Sequence, residues 1–233
     1  MLRKAKSFMK HYFPNSVPAY IKVKEICRGA FYGDRYMPSV FSQIHRNNLW
    51  GEQESVSGNG SSLAATANLR QELPPLLEGL NVTSLLDAPC GDFNWMKEVS
   101  HGGLTYIGAD VVPEIITRNH ELYGSDNRQF IVLDVTKDVL PRVDLILCRD
   151  LLIHFSFRYI ASTIENFIKS GSEYLLVTTD TAVQENEDIL TGQWRPLNLQ
   201  LHPFNFPKPM KLIIESPERG RSMGLWRLKD LKR

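Results

Sequence analysis

The sequence predicts an α/β fold: a Rossmann-like, seven-stranded, mostly parallel sheet with helices on both faces and a C-terminal antiparallel hairpin. Three observations carry this reading. Between residues 83 and 180, short β-rich runs alternate with helical stretches, the pattern of an open parallel sheet. Most of those runs close on an aspartate. The last two strand candidates, Lys211–Glu215 and Met223–Leu228, are separated only by SPERGRS, too short a link for anything other than an antiparallel pair.

The elements follow in order. Residues 1–50 mix aromatic and basic side chains without a clean period and read as an extension packed on the domain. The Gly/Ser-rich run at 51–62 is a loop. From Leu63 to Leu80 the leucines recur at helical spacing, with Pro74-Pro75 expected to kink or stop the helix. Thr83–Leu86 is a strand ending in Asp87, and Asn94–Val99 a helix. Leu104–Gly108 is a second strand leading to Asp110, followed by a helix over Pro113–Tyr123 with proline in its first turn. Arg128–Leu133 leads to Asp134. Val143–Cys148 is continuous and apolar, as a buried parallel strand should be. A helix over Tyr159–Lys169 precedes the strand Tyr174–Thr179, which ends in Asp180. Thr181–Pro209 is too long for an ordinary connection and reads as an ordered loop.

Composition narrows the class. The 233 residues are 42% apolar and 23% charged, enough to bury a core and unlike a disordered tail, a fibre or a disulfide scaffold. No run approaches the roughly 20 apolar residues of a membrane helix. The basic N-terminus lacks the apolar stretch of a secretory signal. The net charge of +1 hides an asymmetry. Residues 1–35 carry eight Lys/Arg against two Asp/Glu, residues 207–233 eight against three, and the middle eleven against twenty-one. Basic ends suit an acidic partner, a phosphate or a membrane surface, and equally a solvated surface. Cys27, Cys90 and Cys148 are far apart with no C-x-x-C, so neither a metal site nor a disulfide framework is expected, and the setting reads as reducing and cytoplasmic.

In an open α/β sheet the ligand crevice lies beyond the carboxyl ends of the strands. Asp87, Asp110, Asp134 and Asp180 therefore gather on one rim, or else cap the turns that follow them. The densest segment is SLLDAPCGDFNWM, Ser84–Met96, where Ala88, Cys90 and Gly91 allow close backbone approach to a ligand and the next helix offers its amides. A dinucleotide fold would want G-x-G-x-x-G there, and only Gly91 is present. Asp110, 23 residues after Asp87, is placed to accept two hydrogen bonds from a ribose diol.

These segments resemble the class I S-adenosylmethionine-dependent methyltransferases. LLDAPCGD is similar to that family's first motif, YIGADVV to its second, FIVLDVT to its third and LILCRDLLIHF to its fourth, and the terminal hairpin is similar to the family's last strands. Pro89 and Cys90 stand where the family more often has glycines. The resemblance spans residues 60–230 and implies S-adenosyl-L-methionine as cofactor. It implies that Asp87, Ala88, Pro89, Cys90, Gly91 and Asp92 face the methionine part. Asp110 would bind the ribose with Val111 on the adenine, Asp134 and Val135 would sit at the adenine edge, and Arg149 and Asp150 near the sulfonium. It also implies two parts: residues 1–60, whose Trp50, Ser57, Gly60 and Ser61 cover the cofactor cleft, and a catalytic domain over 61–233 with a lid at 181–209.

The acceptor needs a base if it is a hydroxyl. His154 is the candidate. If Asp150–Phe155 is helical, Asp150 shares its face and either orients it or binds substrate. Arg149 completes the catalytic set. In the lid, Trp194, Arg195 and Asn198 are candidate substrate contacts, with Arg195 meeting an anionic group. A thiol role for Cys90 is the weaker alternative to a small turn residue. The absence of N-P-P-[FYW] after the fourth strand favours oxygen over nitrogen as the acceptor. A small-molecule or glycan acceptor is expected. There is no membrane span and no nucleic-acid module, and the oligomeric state is open. The alternatives are a protein or nucleic-acid methyltransferase, and a non-catalytic binding module of the same fold.

Overall fold

A computed structural model describes residues 37–50, 53–100 and 102–231. The basic stretch at 1–35 and Cys27 lie outside these residues. The elements are α1 (Met37–Arg46), α2 (Ala67–Gly79), β1 (Ser84–Asp87), β2 (Thr105–Asp110), α3 (Pro113–Tyr123), β3 (Arg128–Val132), β4 (Leu145–Cys148), α4 (Phe157–Lys169), β5 (Tyr174–Asp180), β6 (Lys211–Ser216) and β7 (Arg221–Arg227).

The strands form one sheet in the order β3-β2-β1-β4-β5-β7-β6. The first five are parallel neighbours, and β7 runs antiparallel between β5 and β6. Every residue of β4 and β5 is buried. The period of two explains how the apolar runs serve both faces. Leu145 and Leu147 join α2's Leu69, Leu73, Leu76 and Leu77 on one face. Ile146 and Cys148 join Ile160 and Phe167 of α4, and α1, on the other. The hairpin link carries Gly220 at φ 68, a left-handed position where an added Cβ would press on Ala182.

The helix expected over Asn94–Val99 does not form, and of the kink or stop expected at Pro74-Pro75 the stop does not occur. α2 does not stop at Pro74-Pro75 and runs on to Gly79. The carbonyls these prolines leave without amide donors belong to Arg70 and Gln71, neither of them buried, while the four leucines hold the helix down. The stretch after β1 holds no α-helix over Asn94–Val99, only turns and one short 3-10 turn, Met96–Glu98. Phe93 has φ 59, which breaks a helical path at the start of this segment, and Phe93, Trp95, Met96 and Val99 are all buried. No helix N-terminus therefore supplies amides at that loop.

Among the described residues, no helix is long and apolar enough to cross a membrane.

Candidate functional site

The loop after β1 crosses the strand ends under tight backbone control. Ala88 N–H donates to Leu147 O of β4 (2.9 Å), and Cys90 N–H donates to Ala109 O of β2 (2.8 Å). Gly91 has φ 52, its N–H donates to Asp110 Oδ2 (3.3 Å), and its carbonyl accepts from Asn119 Nδ2 of α3 (2.7 Å). Pro89 follows a cis peptide. The β1 loop and the end of β2 thus meet at Gly91 and Asp110. Cys90 is buried among acidic neighbours and its thiol pKa is raised, the opposite of an activated nucleophile.

Two carboxylates here are poised away from ordinary behaviour. Burial pushes the Asp87 pKa up to about 7, against a hydrogen bond from Tyr106 Oη (2.6 Å). Burial likewise pushes Asp110 up to about 6, against bonds from the Val112 and Gly91 amides. Val111 is half-buried against the core beside them.

Asp92 anchors the chain that precedes α2. Its carboxylate accepts from Ser55 Oγ (2.9 Å), Val56 N (2.9 Å) and Ser57 Oγ (3.2 Å), and its own N–H donates to Ser57 Oγ (3.1 Å). A Cβ on Gly91 would overlap that same Ser57 Oγ. Further along, Asn94 Nδ2 donates to Ser61 O (3.1 Å), and a Cβ on Gly60 would come 2.8 Å from Asp150 Oδ2. Trp50 stacks on His154 at 5.2 Å. Trp50 and residues 55–61 therefore lie along the strand-end rim and touch it near Asp92, Asp150 and His154.

On the far side of the rim stands a buried ion network. Asp150, at φ 56, follows β4, and its N–H donates to Thr178 Oγ1 (2.9 Å). Arg221 of β7 pairs with Asp150 Oδ2 (2.5 Å) and with Glu215 Oε2 (3.2 Å). Arg149 bridges Glu215 (2.8 Å) and Asp150 (3.3 Å) with its guanidinium over the Trp95 ring. Burial alone would raise the Asp150 pKa, but Arg221 and Arg149 outweigh it and hold the carboxyl below its usual range.

His154 lies in a single 3-10 turn, Leu152–His154, so the helical face expected to join it to Asp150 does not form. Its orienter is a carbonyl: Nδ1 lies 2.8 Å from Gln193 O. Burial lowers its pKa below 6.5, so the ring is neutral near pH 7. A carbonyl only accepts, so Nδ1 carries the proton and Nε2 keeps a lone pair, with no partner among the described residues.

The other expected contacts are placed differently. Asp134 accepts from Thr136 N (3.0 Å) and Oγ1 (2.6 Å), so it caps its own turn, and Val135 is in the core with its carbonyl bonded to Asn166. Asp180 is tied into the following coil through Leu197 N (3.0 Å). Arg195, expected to meet an anion, is buried and donates to the carbonyls of Leu152 (2.8 Å), Phe155 (2.9 Å) and Glu187 (3.1 Å). Burial pushes its pKa down to about 10. It holds the coil to the turn that carries His154. Asn198 is spent on Val183 O (3.2 Å) and Gln200 N (3.0 Å), and Trp194 is half-buried against the core. The 181–209 segment is a packed coil that buries Leu197, Leu199, Phe204 and Phe206 and borders the rim through Gly192 N–H donating to His154 O (2.8 Å).

No family model matches the sequence, and no curated protein matches it. Solved structures do match its fold. Human N-acetylserotonin methyltransferase in complex with SAM is 12% identical, with a TM-score of 0.61 over 94% of this chain and 68% of that one. PigF with SAH gives the same identity and TM-score, over 95% of this chain and 72% of that one. The mitomycin 7-O-methyltransferase MmcR is 13% identical, with a TM-score of 0.59 over 79% of this chain and 60% of that one. The chain has the class I S-adenosylmethionine-dependent methyltransferase fold.

Proposed function

We propose that this chain is a methyltransferase that uses S-adenosyl-L-methionine to methylate an oxygen of a small-molecule or sugar-type acceptor. The observation that carries the oxygen assignment is His154: a neutral imidazole held by Gln193 O at 2.8 Å, with Nε2 left as a lone-pair acceptor. An amine acceptor has less need of a base, whereas a hydroxyl needs its proton removed. Two of the fold neighbours, the N-acetylserotonin and mitomycin 7-O enzymes, are methyltransferases of small molecules by name.

The residues present fit the cofactor. Gly91 at φ 52 offers a backbone that a side chain would block, and Asp110 beside it offers a carboxylate to the ribose hydroxyls. In this reading Val111 packs on the adenine, and Asp87 to Asp92 surround the methionine part. When bound, S-adenosylmethionine supplies a methyl group activated by its sulfonium. The chain does the rest. His154 takes the hydroxyl proton on Nε2. Asp150, kept ionised by Arg221 and Arg149, favours the imidazolium that results. Trp50, residues 55–61 and the 181–209 coil act as the cover that excludes water, with Trp194 bordering the acceptor.

The test is methyl transfer from labelled S-adenosylmethionine to a panel of hydroxylated sugars, phenols and small acids, run beside peptide and RNA acceptors. Transfer to a hydroxyl compound, lost in His154→Ala with cofactor binding intact, supports the assignment. Transfer confined to peptide or RNA overturns it.

A further inference from the structure

Asn119 is 1% exposed, and the other buried residues of α3 are Ile115 and Ile116. A polar side chain on the packed face of a helix costs stability unless its hydrogen bonds are made inside the protein. Asn119 spends its amide on the loop after β1. Nδ2 donates to Gly91 O (2.7 Å) and lies 3.8 Å from Cys90 Sγ. The loop needs that bond. Gly91 has φ 52, and glycine leaves its adjoining peptides freer to turn than any other residue does. The Gly91–Asp92 peptide is therefore fixed from outside, at both ends. Its carbonyl accepts from Asn119. Its N–H, that of Asp92, donates to Ser57 Oγ (3.1 Å), which donates on to Asp92 Oδ1 (3.2 Å). One peptide plane thus joins α3 to the segment that lies along the rim. Turned over, that plane would set its N–H against the Asn119 amide and take its donor away from Ser57.

We infer that Asn119 is a positioning residue for the cofactor, holding the Gly91–Asp92 peptide in the orientation that the methionine part meets. This rests on the S-adenosylmethionine reading above. Asp110 depends on Asn119 far less. Its carboxylate keeps backbone bonds from Val112 N (3.0 Å) and from Val111 whatever Gly91 does. The ribose contact should therefore survive the loss of Asn119, while the contacts of the loop with the methionine part weaken. A residue that only stabilised the fold would move both alike, or neither once the protein is folded.

The experiment is calorimetric titration of wild type and Asn119→Ala with S-adenosylhomocysteine and with 5′-methylthioadenosine, which keeps the adenine, ribose and sulfur and lacks the amino-acid end. Amide exchange over residues 55–57 is measured on each unliganded protein. Asn119→Leu, closer in volume, serves if the alanine variant does not fold. The variant is expected to bind S-adenosylhomocysteine about tenfold more weakly, the worth of one hydrogen bond. It is expected to bind 5′-methylthioadenosine as wild type does, and to exchange faster at 55–57. If the folded variant binds S-adenosylhomocysteine as tightly as wild type, or loses the two ligands equally, Asn119 is structural and the cofactor reading stands. If wild type binds neither S-adenosylhomocysteine nor S-adenosylmethionine, both readings fall.

Discussion

Nδ1 of His154 lies 2.8 Å from the carbonyl oxygen of Gln193, so a side chain on the rim takes its tautomer from a coil 39 residues further along the chain. The contact ties the 181–209 coil to the base proposed above without any side chain of that coil having to touch substrate. His154→Ala should leave cofactor affinity unchanged and slow single-turnover methylation by about 10²–10⁴-fold. The ring must be neutral to act, and its pKa is lowered from 6.5, so the rate should fall as pH drops below 6.5 and be flat above 7. A rate still climbing between pH 7 and 9, set against pH-independent cofactor binding, would show a different base at work.

Asp92 is the anchor of residues 55–57 through three accepted hydrogen bonds. Asp92→Ala should release that segment. Amide exchange over residues 53–62 is expected to quicken at least tenfold, with cofactor affinity falling in step, because the cover is then ordered only at the cost of binding. Exchange unchanged from wild type would show that the remaining contacts, those of Asn94 with Glu54 and Ser61 among them, hold the segment without Asp92.

Asp87 links stability to pH. Its folded pKa is raised from 3.8 to about 7, so its contribution to stability is fully present below 3.8 and is lost as pH rises through 7. Asp110 and Asp180, raised to about 6, act in the same sense. His45 and His154 oppose them below pH 6.5, their folded pKa values being lowered. Comparison with Asp87→Asn isolates one group. Between pH 5 and 8 the wild type should lose stability relative to the variant, with a limiting slope of about 1.4 kcal/mol per pH unit for the one linked proton. Parallel denaturation curves for the two proteins across that range would mean that Asp87 is ionised throughout.

Arg221 and Asp150 are mutually dependent. Arg221→Met leaves Asp150 and Glu215 short of a counter-charge in the interior and should cost about 3 kcal/mol in denaturant unfolding. Adding Asp150→Asn to it should restore part of that loss, the coupling expected of a buried pair. Strict additivity in the cycle would show that the pair contributes nothing as a pair.

Much of the frame was legible because it is local. Strand period, the aspartates at strand ends and the short hairpin link all lie within a few residues of what they determine, so β1 with Asp87 and β2 with Asp110 stand where expected. The failures share a different origin. Asn94–Val99 looked helical by composition, but tertiary burial of Phe93, Trp95 and Met96 overrode it. Pro74-Pro75 predicts a kink or a stop, and the stop does not occur, because Leu76 and Leu77 carry the helix past it. Arg195 looked like an anion receptor because nothing local shows that three carbonyls surround it. Arg221 was not singled out at all: its partner is set by the β5–β7 register, which places Asp180 opposite Arg221, and by a turn 71 residues away. Asn119 was not singled out either: its partner Gly91 lies 28 residues back, in a loop that only the fold brings to α3.

The central claim is a binding claim, and calorimetric titration of the purified protein with S-adenosylmethionine and S-adenosylhomocysteine, with NAD as control, tests it most directly. The account predicts micromolar binding of both, no binding of NAD, and an affinity loss of about 1–3 kcal/mol in Asp110→Ala. Heat from NAD alone, or an Asp110→Ala protein that folds and binds S-adenosylmethionine as tightly as wild type, would contradict it.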